Sequence, residues 1–417
     1  MTAIINPSIL CGTITAPPSK SSAHRSLICA ALSNGCVTIK NCGNSNDIAA
    51  TCNVLKSLGS QITVTGKDIS ISPALKNQKN IVLDCGESGS TARFILPVAA
   101  ALGVENATII GHGRLPLRPF GALTEVLRKN GVNCSSDCLP ITISGKLKCG
   151  KFELPGNISS QYISGLLFAL SVVQGESEII LTSPLESAAY VDMTVNELIK
   201  FGADIKKAKN GYKIIGKSTL NSTECTVEGD WSQAAFFLSA GAILGDITVE
   251  GINKNSLQGD KQIVDLLKRF GADVIEYEDK VTVKKSKLTA INIDASQIPD
   301  LVPILAVTAA LAVGTTVIYN ASRLRLKESD RLKETVARLN EFGIKATETC
   351  DGMTITGGKP INANISSGND HRLVMAFSIL ALACDKASSI TNCEAINKSY
   401  PDFFKDFMNL GGNCNVI

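Results

Sequence analysis

Hydrophobic positions along the chain fall into two alternating kinds of helical run, punctuated by short strand-like stretches. One kind is apolar nearly all round and reads as interior: Ser22–Leu32, Ser90–Leu102, Ser160–Val173, Trp231–Leu244, Pro299–Val313 and His371–Cys384. The other is amphipathic and ends each time at a glycine: Gly59, Gly131, Gly202, Gly271, Gly343 and Gly411. These glycines are spaced by 72, 71, 69, 72 and 68 residues, so six units of about 70 residues account for nearly the whole chain. Between the two helices of each unit lies a strand pattern such as VTIKN, ATIIG or TTVIYN. After the glycine comes an alternating hairpin, as in GADVIEYEDKVTVKK. The glycine suits a helix C-terminus, which commonly ends on a left-handed residue. Three such units make one domain of ordinary size, and six make two.

Composition and charge narrow the function classes. The 417 residues are 44% hydrophobic, 5% aromatic and 19% charged, an ordinary α/β balance. A net charge of +3 without a basic block argues against nucleic acid and membrane surfaces as partners, so any positive site is local. The longest apolar runs, Leu301–Val313 and Leu373–Cys384, are short of the roughly 20 residues a membrane helix needs. The start, MTAIINPSIL, has neither a secretory nor an organelle-targeting pattern, which points to the cytoplasm. Fourteen cysteines without a C-x2-C pair, beside three histidines, argue against zinc. They read as reduced, buried core residues of a cytosolic protein.

The polar residues that break the pattern gather just ahead of the helices. Lys20 and Arg25 lie in APPSKSSAHR, Gly89 in GESGSTAR and Arg118 before Pro119. Ser159, Ser160 and Gln161 open the third unit, Asp300 and the stretch RLRLKESDR (Arg323–Arg331) lie in the fifth, and His371 and Arg372 open the sixth, with Lys398 beyond. Cations are disfavoured at a helix N-terminus by its dipole, so their recurrence there implies a compensating anion. GESGSTAR is a strand-to-helix turn but neither a P-loop nor a dinucleotide fingerprint. His112, in GHGRLPLRPF, reads as structural. The expectation from these residues is a cleft for polyanionic small molecules.

APPSKSSAHR, GESGSTAR, RLKESDRL, NDHR and KSYPDFF, in that order from Pro17 to Phe404, resemble the 5-enolpyruvylshikimate-3-phosphate synthase family. The resemblance implies an α/β (α+β) chain of two similar globular domains, each of three βαβαββ units, with the active site between them. Residues 1–18 and 229–417 would form the C-terminal domain, mainly the phosphoenolpyruvate side. Residues 19–228 would form the N-terminal domain, mainly the shikimate 3-phosphate side. The implied reaction moves the enolpyruvyl group of phosphoenolpyruvate to the 5-hydroxyl of shikimate 3-phosphate and releases phosphate, with no metal or organic cofactor, in a monomer.

Residue by residue, Lys20 matches the lysine that touches both substrates and takes part in catalysis. Ser21, Arg25, Ser159, Ser160, Gln161, Tyr190 and Lys327 match shikimate 3-phosphate contacts, together with Ser187 or, if the alignment holds a gap, Ser183. Asp300 matches the carboxylate that accepts the hydroxyl proton, and it also contacts that substrate. Glu328 matches the one that moves the proton at the enol methylene. Gly89, Arg118, Gln161, Arg331, His371, Arg372 and Lys398 match the phosphoenolpyruvate cage. Glu87 stands where the family often has Asn, and Arg323 where some members have Asn. A UDP-N-acetylglucosamine enolpyruvyl transferase is the alternative, but it would carry Lys-Asn in place of Lys20-Ser21 and a loop cysteine. A non-catalytic six-repeat scaffold is the third reading.

Overall fold

The computed structural model describes residues 1–217 and 219–417. The first helices of the six repeats are α1 (Lys20–Ala31), α3 (Gly89–Ala101), α5 (Ser160–Val172), α7 (Trp231–Leu244), α9 (Val302–Ala310) and α11 (His371–Ala381). The second helices are α2 (Asn46–Ser57), α4 (Gly121–Lys129), α6 (Ala188–Lys200), α8 (Ile263–Phe270), α10 (Arg331–Glu341) and α12 (Phe403–Asn409). The all-apolar set is interior as expected: every residue of α9 is buried, and in α7 every residue from Trp231 to Ile243 is. Ser19, Ser88, Ser159, Asp230 and Asp370 cap five of these helices, each accepting a backbone N–H of the first turn. The fifth repeat differs, because Pro299 and Pro303 impose a 3-10 turn (Pro299–Leu301) in place of the first turn of the expected helix.

Each repeat carries a four-stranded sheet of one strand order. In the second repeat, Val82–Asp84 pairs in parallel with Ala107–Ile110, which pairs with the second strand of the hairpin Val132–Cys134 and Ile141–Gly145, leaving the first at the edge. Three repeats complete their sheets with strands from distant sequence. Cys225–Thr226 pairs with Val37–Lys40 of the first repeat. Cys11–Thr15 pairs with Asp246–Glu250 of the fourth. In the sixth, Thr2–Asn6 takes the place of the second hairpin strand, between Ser388–Thr391 and Asn413–Val416. The two chain ends are thereby tied: the Thr2 N–H donates to the Ile417 carbonyl at 2.7 Å, and the Ile417 N–H returns to Thr2 at 2.9 Å.

The chain divides into two compact units, Met1–Pro17 with Glu228–Ile417, and Pro18–Val227. Each has its own apolar core, one built around α7, α9 and α11 and the other around α1, α3 and α5. The thiols depart from expectation. All fourteen are free, but only Cys29, Cys42, Cys52, Cys85, Cys384 and Cys393 are buried, while Cys11, Cys36, Cys138, Cys149 and Cys350 are exposed on turns and edges. Among the described residues no helix is long and apolar enough to cross a membrane.

All six pivotal glycines have positive φ, from +76° at Gly343 to +98° at Gly411, which an L side chain adopts only with strain. Gly271 isolates this effect: φ is +94° and an added Cβ meets only the Lys287 carbonyl, at 3.4 Å. Gly271→Ala is expected to destabilise by about 1–2 kcal/mol. Gly202→Ala should destabilise more, because its Cβ would fall 2.3 Å from the Asn221 amide. Denaturant unfolding of the two variants checks both the size and the order.

Candidate active site

In the Pro18–Val227 unit the candidate residues sit at or near the starts of α1, α3, α5 and α6, with Arg118 between the 3-10 turn Leu115–Leu117 and α4. Lys20 opens α1, and its Nζ lies 2.6 Å from Asp47 Oδ2. Arg25, one turn on, is buried, and protein acceptors take its donors. Nε reaches Thr194 Oγ1 at 2.8 Å, Nη1 the Ser21 carbonyl at 2.5 Å and Nη2 the Tyr190 carbonyl at 2.7 Å. Its guanidinium also lies over the rings of Phe94 and Tyr190. Burial pulls Arg25 down to about 10, against Tyr190 and Glu197, which leaves it charged at neutral pH.

Gly89 begins α3 directly beneath two guanidiniums. A Cβ there would lie 2.6 Å from Arg118 Nη1 and 2.8 Å from Arg93 Nη1. Arg93, the last residue of GESGSTAR, is a member of this group that the sequence reading did not single out. It is buried, stacks on Phe120 and Tyr162, and donates to Gln161 Oε1 at 2.9 Å. Gln161 in turn donates to Ser90 Oγ at 2.8 Å, so Gln161 is oriented from both ends. Its neighbour Ser160 is buried and Ser159 caps α5. Ser187 precedes α6 in a left-handed conformation, φ +52°. The Ser183 hydroxyl instead bridges the Gly156 N–H and Asn157 Oδ1, both at 2.9 Å. His112 is exposed and pairs with Asp84 at 3.0 Å, which raises its pKa.

In the unit holding residues 228–417, the stretch Arg323–Arg331 is not one helix. A 3-10 turn (Ser322–Leu326) gives way to an extended Lys327, and α10 then starts at Arg331 with Asp330 as cap. The break turns the charged side chains in different directions. Arg325 faces the following hairpin, bonding Glu348, Asp330 at 3.3 Å and the Thr349 carbonyl at 2.8 Å. Arg323 donates to the Ser296 carbonyl at 2.7 Å.

Arg331, 1% exposed, meets three carboxylates. Nε donates to Asp370 Oδ2 at 2.8 Å, Nη2 to Glu328 Oε2 at 2.7 Å and Nη1 to Asp300 Oδ1 at 3.0 Å. Burial lowers its affinity for the proton, but Asp370, Glu328 and Asp300 together outweigh that and raise it. Asp370 also accepts from Ser329 Oγ at 2.9 Å and from the Arg372 N–H, which fixes the start of α11. Asp300 is shared further, with Lys327 Nζ at 3.3 Å and Arg372 Nη2 at 3.2 Å, while Arg372 Nη1 holds the Asp300 carbonyl at 2.9 Å. Burial pushes the Asp300 carboxyl up; Arg372, Lys327 and Arg331 hold it well below the usual carboxylate range. Lys398 Nζ donates to the Asn369 carbonyl at 2.8 Å, and His371 is buried at the first position of α11. The anion expected opposite the helix-start cations is thus supplied in part by the protein's own carboxylates.

The sequence model of the EPSP synthase (3-phosphoshikimate 1-carboxyvinyltransferase) family matches residues 4–407. A 3-phosphoshikimate 1-carboxyvinyltransferase of Clostridium acetobutylicum is 46% identical over 420 residues, covering 99% of this chain and 97% of that protein. The chain belongs to the EPSP synthase family. A second relative of the same name, from Clostridioides difficile, is 41% identical over 430 residues, covering 99% and 98%. The solved structure of EPSP synthase from Acinetobacter baumannii superposes with a TM-score of 0.83 at 27% identity, covering 99% of each chain. The enolpyruvyl transferase NikO from Streptomyces tendae shares the fold, with a TM-score of 0.82 at 19% identity over 99% of this chain and 98% of its own. Six α/β repeats with one sheet order are therefore an enolpyruvyl transferase architecture, in agreement with the expected fold class.

One further residue of the unit holding residues 228–417 has a distinctive charge state. Asp260, buried in the 3-10 turn Gly259–Gln262, accepts from Ser232 Oγ. Burial first, then Asp300 and Asp230, push its carboxyl up to about 6, against Arg372 and Ser232. A carboxyl raised above its unfolded value of about 3.9 binds more protons folded than unfolded, so its contribution to stability declines as pH rises through that window. Asp260→Asn lacks this decline. Its unfolding free energy relative to the unsubstituted protein is expected to rise between pH 4 and 6 and to level off above. A pH-independent difference in denaturant midpoints would contradict this.

Proposed function

We infer that the chain is a 3-phosphoshikimate 1-carboxyvinyltransferase, which moves the enolpyruvyl group of phosphoenolpyruvate to the 5-hydroxyl of shikimate 3-phosphate with release of phosphate. The observation that carries this is the full-length relationship, 46% identity across 99% of the chain, to a protein of that activity. The geometry supports it, because both substrates are polyanions and the candidate residues are buried or half-buried cations with two carboxylates among them.

In this reading Lys20 contacts both substrates. Ser21, Arg25, Ser159, Ser160, Gln161, Tyr190 and Lys327 bind shikimate 3-phosphate. Ser187 joins them in preference to Ser183, whose hydroxyl is already engaged twice. Gly89, Arg118, Gln161, Arg331, His371, Arg372 and Lys398 bind phosphoenolpyruvate. Its anionic groups draw on Arg331 and Arg372, the guanidiniums that hold Asp300 ionised. As they do so, the Asp300 carboxyl rises toward a value suited to accepting the hydroxyl proton. Glu328, on the same Arg331, delivers and removes the proton at the enol methylene. The protonated enol becomes an electrophile at C2, the hydroxyl adds there, and elimination of phosphate restores the double bond. A cytoplasmic location, consistent with fourteen free thiols, and a monomeric state complete the proposal.

Phosphate release from the purified protein should require shikimate 3-phosphate and phosphoenolpyruvate together. Release with UDP-N-acetylglucosamine in place of shikimate 3-phosphate would point to the other transferase, and no release with either to a scaffold. Glu328→Gln is expected to lower kcat by roughly 10²–10⁴-fold while the KM for shikimate 3-phosphate stays close to its original value; an unchanged kcat refutes the role. Gly89→Ala, whose new methyl displaces Arg118 and Arg93, should raise the KM for phosphoenolpyruvate in the same assay.

A further inference from the structure

His24 lies on α1, one turn beyond Lys20, and is 1% exposed. Its Nδ1 is 2.7 Å from Thr51 Oγ1 on α2. Thr51 Oγ1 is 2.7 Å from Thr91 Oγ1 on α3, and the Thr91 hydroxyl donates to Ser88 Oγ at 2.7 Å. Ser88 is the cap of α3, accepting the Thr91 N–H at 3.3 Å. Thr51 and Thr91 are fully buried and Ser88 nearly so. Four side chains thus form one buried hydrogen-bonded chain across three helices.

Each link lies directly beneath a group at the helix starts. Lys20 is one turn before His24 on α1. Asp47, the partner of Lys20 at 2.6 Å, is one turn before Thr51 on α2. Gly89 follows Ser88. The chain also has a direction. Burial first, then Lys20 and Arg25, hold the imidazole well below its usual range, so it is neutral and carries one N–H. Nε2 has no hydrogen-bond partner among the described residues. A buried N–H without a partner is rarer and less tolerated than an under-used acceptor, so the proton belongs on Nδ1. From there Nδ1–H donates to Thr51. The Thr51 hydroxyl then donates onward to Thr91, because its other acceptor, the Asp47 carbonyl, is at 3.4 Å. Thr91 donates to Ser88.

We propose that His24 is a positioning residue for phosphoenolpyruvate binding: its Nδ1–H orders the Thr51–Thr91–Ser88 chain and so fixes the Lys20–Asp47 pair and the start of α3 at Gly89 relative to one another. The proposal rests on the reading of Lys20 and Gly89 as phosphoenolpyruvate contacts. Its specific content is that the donor on His24, rather than the bulk of the ring, is what the site needs.

The test compares His24→Leu, which keeps bulk without the donor, His24→Asn, whose amide N–H can replace Nδ1–H, Thr51→Val, and the His24→Leu/Thr51→Val double variant. Phosphate release is measured with each substrate varied, and thermal melting confirms that each variant is folded. His24→Leu and Thr51→Val should each raise the KM for phosphoenolpyruvate by about tenfold, in line with one lost buried hydrogen bond, with a smaller rise in the KM for shikimate 3-phosphate, which Lys20 also contacts but Gly89 does not. His24→Asn should restore the original value, and the double variant should be no worse than the poorer single one, because both break the same chain. His24→Asn as impaired as His24→Leu, or additive losses in the double variant, would overturn the proposal. If His24→Leu does not fold, Thr51→Val and His24→Asn still decide. Long-range ¹H–¹⁵N spectra of histidine-labelled protein supply a readout independent of turnover: a proton on Nδ1 of His24 is expected, and a proton on Nε2 overturns the ordering. An unsubstituted protein that does not turn over overturns the functional reading and this role with it. An active one whose KM is untouched in His24→Leu and Thr51→Val overturns this role alone.

Discussion

A guanidinium that is 1% exposed must be neutralised where it lies, and Arg331 is neutralised by three carboxylates at once. Desolvating such a charge is unfavourable by several kcal/mol, offset only by good geometry and a full set of hydrogen bonds. Asp370 supplies most of that geometry, because it is itself fully buried and held by Ser329 and the Arg372 N–H. Asp300 and Glu328 are then placed by the two remaining arms of the same guanidinium. The positions of both proposed proton-transfer groups therefore follow from one buried ion cluster, and the loop between the 3-10 turn and α10 has the shape it does because it delivers Glu328 and Arg331 to that cluster.

The other unit holds its cations differently. Asp47 faces Lys20, while Arg25 and Arg93 are held chiefly by carbonyls, a side-chain amide and aromatic faces. Such partners orient a guanidinium without cancelling its charge. Arg25 thus keeps its charge while carbonyl and hydroxyl oxygens orient it, whereas around Arg331 the charge is balanced until a competing anion arrives. The two arrangements suit a reaction that binds two polyanions and must still control two proton transfers.

Much of this was legible in the sequence, for identifiable reasons. The repeats were visible because each second helix must end on a residue of positive φ, and glycine marks all six such positions. The helix-start cations were visible because they contradict the helix dipole. The role of Arg325 was not, because its partners Glu348 and Thr349 lie in a hairpin some 23 residues on. Nor was the exchange of Thr2–Asn6, Cys11–Thr15 and Cys225–Thr226 into distant sheets, which leaves no mark on local periodicity. Arg93 and Asp260 each sit in readable local sequence, but their importance comes from neighbours on other helices, Gln161 for one and Ser232 for the other.

In the proposed mechanism the carboxylates on Arg331 serve an addition and elimination at the enol rather than a simple displacement of phosphate. The most direct test is turnover in D₂O with proton NMR of the product. Protonation of the methylene makes a transient methyl group, so loss of one of its hydrogens must leave deuterium in the product's enolpyruvyl methylene. That incorporation is the predicted result. A product formed with its methylene hydrogens wholly undeuterated would contradict the account.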